Sequence, residues 1–97
     1  MSKINQLHKA FESRVRLGIM SILMVNDWVD YKSLKHQLNL TDGNLASHIN
    51  GLEKLGFIEI NKGFIGKKTN TTYRITPLGK ETFKQHINAL EQLIKGI

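Results

Sequence analysis

The sequence predicts an α+β fold, mostly helical, built as a helix-turn-helix, a β-hairpin and a long closing helix. Three observations predict it. The amphipathic segments "YKSLKHQL" and "LTDGNLASHINGLEKLG" leave about three residues between two helices, the spacing of a helix-turn-helix. The alternating segments "FIEINK" and "TTYRIT" flank a stretch rich in glycine and lysine, "GFIGKKTN", as in a hairpin. The last segment opens on Thr76-Pro77 and then repeats apolar residues at spacings of four and three, a heptad-like seam.

The elements follow in chain order. Ile4, Leu7 and Phe11 stand at i, i+3, i+7, which predicts a narrow amphipathic helix over about residues 2–11. Ser13 suits the N-cap of a second helix, "RVRLGIMSILMVN". Its apolar residues cover most of the circumference, so it belongs in the middle of the domain. Asn26 and Asp27 end it. "WVDY" fits one edge strand, with Trp28 a packing residue. Asp30 or a neighbour can cap the next helix, with Leu34 and Leu38 facing inward, and Asn39 suits the left-handed position after it. Thr41 is a good N-cap for the helix that carries Leu45, Ile49 and Leu52 at helical spacing, and Gly56 closes that helix. Ile58 and Ile60 then share one strand face, as do Tyr73 and Ile75. Thr76 caps the final helix, and Pro77, the only proline, takes its first position.

Bulk properties narrow the classes. The 97 residues argue for one domain over 1–97, with the helix-turn-helix at about 31–55, the hairpin at about 57–76 and the last helix at about 77–95. Apolar residues make up 40% and charged residues 23%, ordinary for a globular protein. No apolar run approaches the roughly 18 residues of a membrane span. The start has no signal-peptide core, so the cytoplasm is the expected location. There is no cysteine, hence no disulfide or thiolate site. His8, His36, His48 and His86 are scattered without metal-site spacing, and no nucleophile-base set or phosphate-cradling glycine motif suggests an enzyme. No metal and no cofactor is expected. The formal net charge is +6, and between Asn61 and Lys84 six basic residues face Glu81 alone. Such a concentrated basic face suggests a polyanion partner.

Helix, helix, short strand, helix-turn-helix, hairpin and helix is the winged helix-turn-helix arrangement. At this point the chain resembles the small single-domain regulators of the MarR/ArsR superfamily over almost its whole length. "SRVRLGIMSIL" is similar to their opening helix, "LTDGNLASHINGLEKLGFIEI" to the recognition helix and first wing strand, and "TTYRITPLGKE" to the second wing strand and the start of the last helix. The resemblance implies a homodimeric transcriptional regulator that binds double-stranded DNA. Asp42 to Asn50 would enter the major groove, Gly66 to Asn70 would form the wing tip, and the first and last helices would join two copies.

That reading explains the unusual outer face of the helix, which carries short amides and hydroxyls where a solvated helix would carry Lys and Glu. Asn44, Ser47, His48 and Asn50 can pair with base edges or phosphates. Thr41 and Gly43 stand where the helix N-terminus approaches a phosphate. Asp42 fits less well there; it stabilises the helix N-terminus or accepts from a cytosine amino group. Lys54 is the first cation on the helix, so guanine readout by arginine is absent from it. Lys67, Lys68 and Asn70 would meet the DNA backbone or the minor groove at the wing, and Arg74 either pairs with a strand neighbour or reaches phosphate. Ile4, Leu7, Phe11, Phe83, Ile87, Leu90, Ile94 and Ile97 form the stripes expected between two copies. The alternative is a winged helix that binds protein and not DNA. A small-molecule effector is not legible.

Overall fold

The computed structural model describes residues 3–96. The fold is built around α1 (Arg14–Val25), whose Ile19, Met20 and Leu23 are wholly buried. Around it lie β1 (Val29–Asp30), α2 (Tyr31–Leu38), α3 (Asp42–Lys54), β2 (Ile58–Ile65), β3 (Lys68–Ile75) and α4 (Pro77–Ile94). This is a winged helix with a β-hairpin wing.

Each α-helix starts on a side-chain cap that accepts one of the N–H groups left over at a helix N-terminus. Ser13 accepts from the Arg16 N–H at 3.3 Å and Asp30 from Ser33 at 2.7 Å. Thr41 accepts from Asn44 at 3.2 Å and Thr76 from Gly79 at 2.9 Å. Between α2 and α3 the chain reverses at Asn39, left-handed at φ 51°. Its N–H and that of Leu40 reach back to the carbonyls of His36 and Lys35. The short turn lets Leu34 of α2 and Leu45, Ile49 and Leu52 of α3 enter one core with α1.

The sheet has the order β1-β3-β2, with β1 at the edge through Val29 opposite Tyr73. β2 and β3 pair antiparallel from Ile58 opposite Ile75 to Ile65 opposite Lys68. The stretch "GFIGKKTN", predicted as a loop or tip, is therefore mostly ladder, and only Gly66 and Lys67 lie outside it. Gly66 has φ +61°. A positive φ at the first of two turn residues matches the right-handed twist of the flanking strands, so pairing continues to the tip.

The N-terminal segment also differs from its prediction. In place of one amphipathic helix there are two 3-10 turns, Lys3–Gln6 and Lys9–Phe11. His8 causes the break. Its Nδ1 accepts from the Ala10 N–H at 3.0 Å, and its own N–H donates sideways to His86 Nδ1 on α4 at 2.9 Å. A helical ladder through this point would have to give up both bonds. Phe11 follows and is wholly buried, with ring centroids 5.4 Å from Phe57, 5.1 Å from Phe83 and 5.2 Å from His86. Phe11 and Phe83 thus belong to the core of the chain itself. The i, i+7 spacing that placed Phe11 on an outer stripe assumed a continuous helix that does not form.

His86 is buried, and its Nδ1 can accept the His8 N–H only while it carries no proton. Burial first, and then the neighbouring His8, hold its pKa below 6.5, while Glu12 opposes them. A histidine whose folded-state pKa is depressed binds its proton more tightly in the unfolded chain. Its stability contribution is complete above the unfolded value and is lost as pH falls below about 6.5, levelling off under the folded value. The melting temperature should therefore decline as pH falls below about 6.5, and His86→Gln, whose amide oxygen can accept the same N–H, should flatten the decline. Thermal melts at successive pH values check it.

Candidate nucleic-acid interface

One side of α3 is spent on the core, and this sets the chemistry of the other. With Leu45, Ile49 and Leu52 inward, Gly43, Asn44, Ala46, Ser47 and Asn50 are exposed along the opposite side. Thr41, Asp42 and Lys54 are exposed at the two ends of the helix. His48 is half-buried on its flank. From Gly43 to Asn50 the outer face is thus neutral and short, dense in donors and acceptors, and the exposed Glu53 follows one turn later. Ala46, unmarked in the sequence, offers a methyl group of the kind that meets a thymine methyl.

Asp42 is compensated. Its Oδ1 lies 3.0 Å from Lys35 Nζ, and the Tyr31 hydroxyl donates to it at 3.0 Å. Lys35, and after it the Tyr31 hydroxyl, hold the carboxyl below its ordinary pKa. These contacts join α2 to the start of α3, a role for Asp42 that the sequence did not show. His48 Nδ1 accepts from Arg16 Nε–H at 3.1 Å. Burial, and then the Arg16 charge, push its pKa down, so the ring is neutral at pH 7 with its proton on Nε2.

The wing stands beside this face. Between them runs a groove of about 680 Å³ lined by Tyr31, Ala46, Asn50, Glu53, Lys62 and Thr71. At the tip, Lys67 and Lys68 are exposed, and Asn70 pairs across the ladder with Gly63. Phe64 and Ile65, read in the sequence as loop, are 74% and 69% exposed. The signal that could have found them is apolar residues in a glycine-bounded strand with nothing left to pack against.

Arg74 is engaged in a different set of contacts. Its Nη2 and Nε lie 2.8 and 3.0 Å from Glu59 Oε1, Nη1 is 3.9 Å from Asp27, and the guanidinium sits 4.5 Å from the centroid of Trp28. Of its two predicted roles, the strand pairing is the one it takes, because Glu59 is its direct cross-strand neighbour. The stripe on α4 survives in part. Ile87, Leu90 and Ile94 are exposed, and Leu93, not predicted, joins them. Ile4 is exposed, Leu7 is half-buried, and Ile97 lies outside the described residues. No helix among the described residues is long and apolar enough to cross a membrane.

Residues 15–94 match the model of the winged helix DNA-binding domain family. The chain belongs to that family. An uncharacterised protein of Methanocaldococcus jannaschii is 40% identical over 89 residues, covering 92% of this chain and 97% of that one. The solved structure of a transcriptional regulator homologue from Pyrococcus horikoshii superposes with TM-score 0.81 at 31% identity, covering 99% and 97% of the two chains. NadR in complex with 4-hydroxyphenylacetate shares the fold at TM-score 0.75 and 16% identity, over 97% of this chain and 66% of that one.

Because Arg74 is held by Glu59, Asp27 and Trp28, Arg74→Ala should act on stability. The half-exposed ion pair and the ring contact together are worth roughly 1 kcal/mol. DNA affinity and its dependence on salt should be unchanged. Denaturant titration and a binding titration of the variant check the two halves.

Proposed function

We propose that this chain is a homodimeric transcriptional repressor, one domain over its length, acting in the cytoplasm on double-stranded DNA. The observation that carries the reading is the outer face of α3: exposed Asn44, Ser47 and Asn50, the one carboxylate at its start already paired, and the two lysines of the wing tip alongside. A neutral, short face fits the major groove and reads base edges. Lys67 and Lys68 are flexible point charges that suit phosphate. Phe64 and Ile65 beside them suit the apolar walls of a minor groove. Repression then needs only that a bound dimer occupy its operator.

Dimerisation rests on α4. Ile87, Leu90, Leu93 and Ile94 cost stability when left in water, at roughly 25 cal/mol per Å² of apolar surface. A second copy with two-fold symmetry covers them with the same stripe. The operator is then a pseudo-palindrome with half-site centres about one helical turn apart. Sedimentation at micromolar concentration should give a dimer, and Leu90→Asp should give a folded monomer. A monomeric wild-type protein would remove the basis for the symmetric operator.

The function is tested by titrating variants on operator and random duplexes at several salt concentrations. Lys67→Ala or Lys68→Ala should weaken both duplexes equally and lower the magnitude of the log-affinity against log-salt slope by about one. Asn44→Ala should leave the slope alone and cost about 1–3 kcal/mol on the operator only. No salt-dependent binding by the wild-type protein would return the reading to a winged helix that binds protein.

A further inference from the structure

Helix α3 carries no arginine, and its only lysine, Lys54, stands at its end. The fold brings an arginine to it from another element. Arg16 sits in the first turn of α1 and lies across the flank of α3. Its Nε–H donates to His48 Nδ1 at 3.1 Å. Its terminal nitrogens occupy the space above Gly51, where a β-carbon would collide with the guanidinium. Glycine is a poor residue for a helix interior; at position 51 its lack of a side chain is what lets the guanidinium lie down on the helix. Among the described residues no carboxylate lies within ion-pairing distance of Arg16. Lys35 and Arg74, by contrast, are each paired with an acid.

We propose that Arg16 is a phosphate-contact residue, delivering to the flank of α3 the guanidinium that α3 itself lacks. The proposal rests on the reading of α3 as the DNA-binding helix. Three features favour phosphate over a base edge. Gly51 lies in the second half of α3, whereas base edges are met by the N-terminal residues of such a helix. Nε is already committed to His48, which orients the plane and leaves the two terminal nitrogens, a fork that matches two oxygens of one phosphate. An uncompensated cation next to a DNA-binding face is also what attraction to a polyanion requires. His48 is the positioning residue: its neutral Nδ1 fixes the guanidinium, and its Nε2–H remains a donor.

The test uses the full-length chain with Arg16→Gln, Gly51→Ala and the double variant, titrated on operator and random duplexes at several salt concentrations. Arg16→Gln should weaken both duplexes by the same factor, roughly tenfold, and lower the salt slope by about 0.9. Gly51→Ala puts a methyl group where the guanidinium lies and replaces glycine with a better helix former. It should keep or raise the melting temperature and still lose affinity. The double variant should bind no more weakly than Arg16→Gln alone, because both changes remove one contact. Proton NMR titration of His48 should give a higher pKa in Arg16→Gln than in the wild-type protein, showing that the contact exists in solution.

An unchanged salt slope in Arg16→Gln, or a loss confined to the operator, would overturn the phosphate assignment while leaving the DNA-binding reading intact. A double variant weaker than Arg16→Gln would overturn the role given to Gly51. A wild-type protein that bound no duplex would overturn both readings at once.

Discussion

The arrangement of the whole chain depends on one close approach, that of Gly79 to the backbone of Phe57. A β-carbon at position 79 would collide with the Phe57 main chain, so α4 can start here only because Gly79 has none. Hydrogen bonds close the junction. The Thr76 N–H donates to the Phe57 carbonyl at 3.0 Å, and the Thr76 hydroxyl to the Gly56 carbonyl at 2.6 Å. The Phe57 N–H donates back to Leu52 at 3.1 Å. The exit of α3, the root of the wing and the start of α4 therefore share a few atoms and cannot turn independently. The Phe57 ring carries the constraint further, since it packs on Phe11 and His8 and so draws the N-terminal turns onto the same point.

On this frame the charges divide into two kinds. Asp42, Lys35, Arg74 and Glu59 are matched to one another, and their contacts join α2 to α3 and β2 to β3. Exposed ion pairs of this sort add little stability, but they hold side chains in one geometry. Lys67, Lys68 and Arg16 have no acidic partner among the described residues. Unmatched positive charge thus stands beside α3 and at the wing tip, and the groove between them is lined by Glu53 and Lys62 as well as by neutral side chains. Electrostatic attraction and hydrogen-bonding detail are assigned to different residues.

Legibility from sequence followed how local each signal is. Ser13, Asp30, Thr41 and Thr76 each act within three residues of themselves; Ser13, Thr41 and Thr76 are the N-caps their positions predict, and Asp30 is the one of the candidates before α2 that caps it. Asn39 and Gly56 take the positive φ that their places after helices demand. The winged fold follows from the order of such local signals. What the chain hides depends on contacts across it. Periodicity alone cannot show that His8 would be bound by His86, 78 residues away, and that the first helix would break there. Nor can it show that Phe11 and Phe83 would meet each other before they could meet a second copy. Arg74 offered two partners, and strand register chose between them. Arg16 lay in an apolar helix, and only the packing of α1 on α3 relates it to Gly51.

The wing carries a consequence for how this surface can vary. Its rungs run unbroken from Ile58–Ile75 to Ile65–Lys68 and end in a turn of two residues. Side chains alternate between the two faces at every step. A lineage or an engineer lengthening the wing must therefore add residues as matched pairs, one to each strand. An odd insertion in one strand would force a bulge or invert every side chain beyond it. Matched pairs move Lys67 and Lys68 outward by about 3.4 Å each, and two of them are needed to restore the original facing. The reach of this protein along a ligand is set in discrete increments, with half of the available lengths presenting the wrong face.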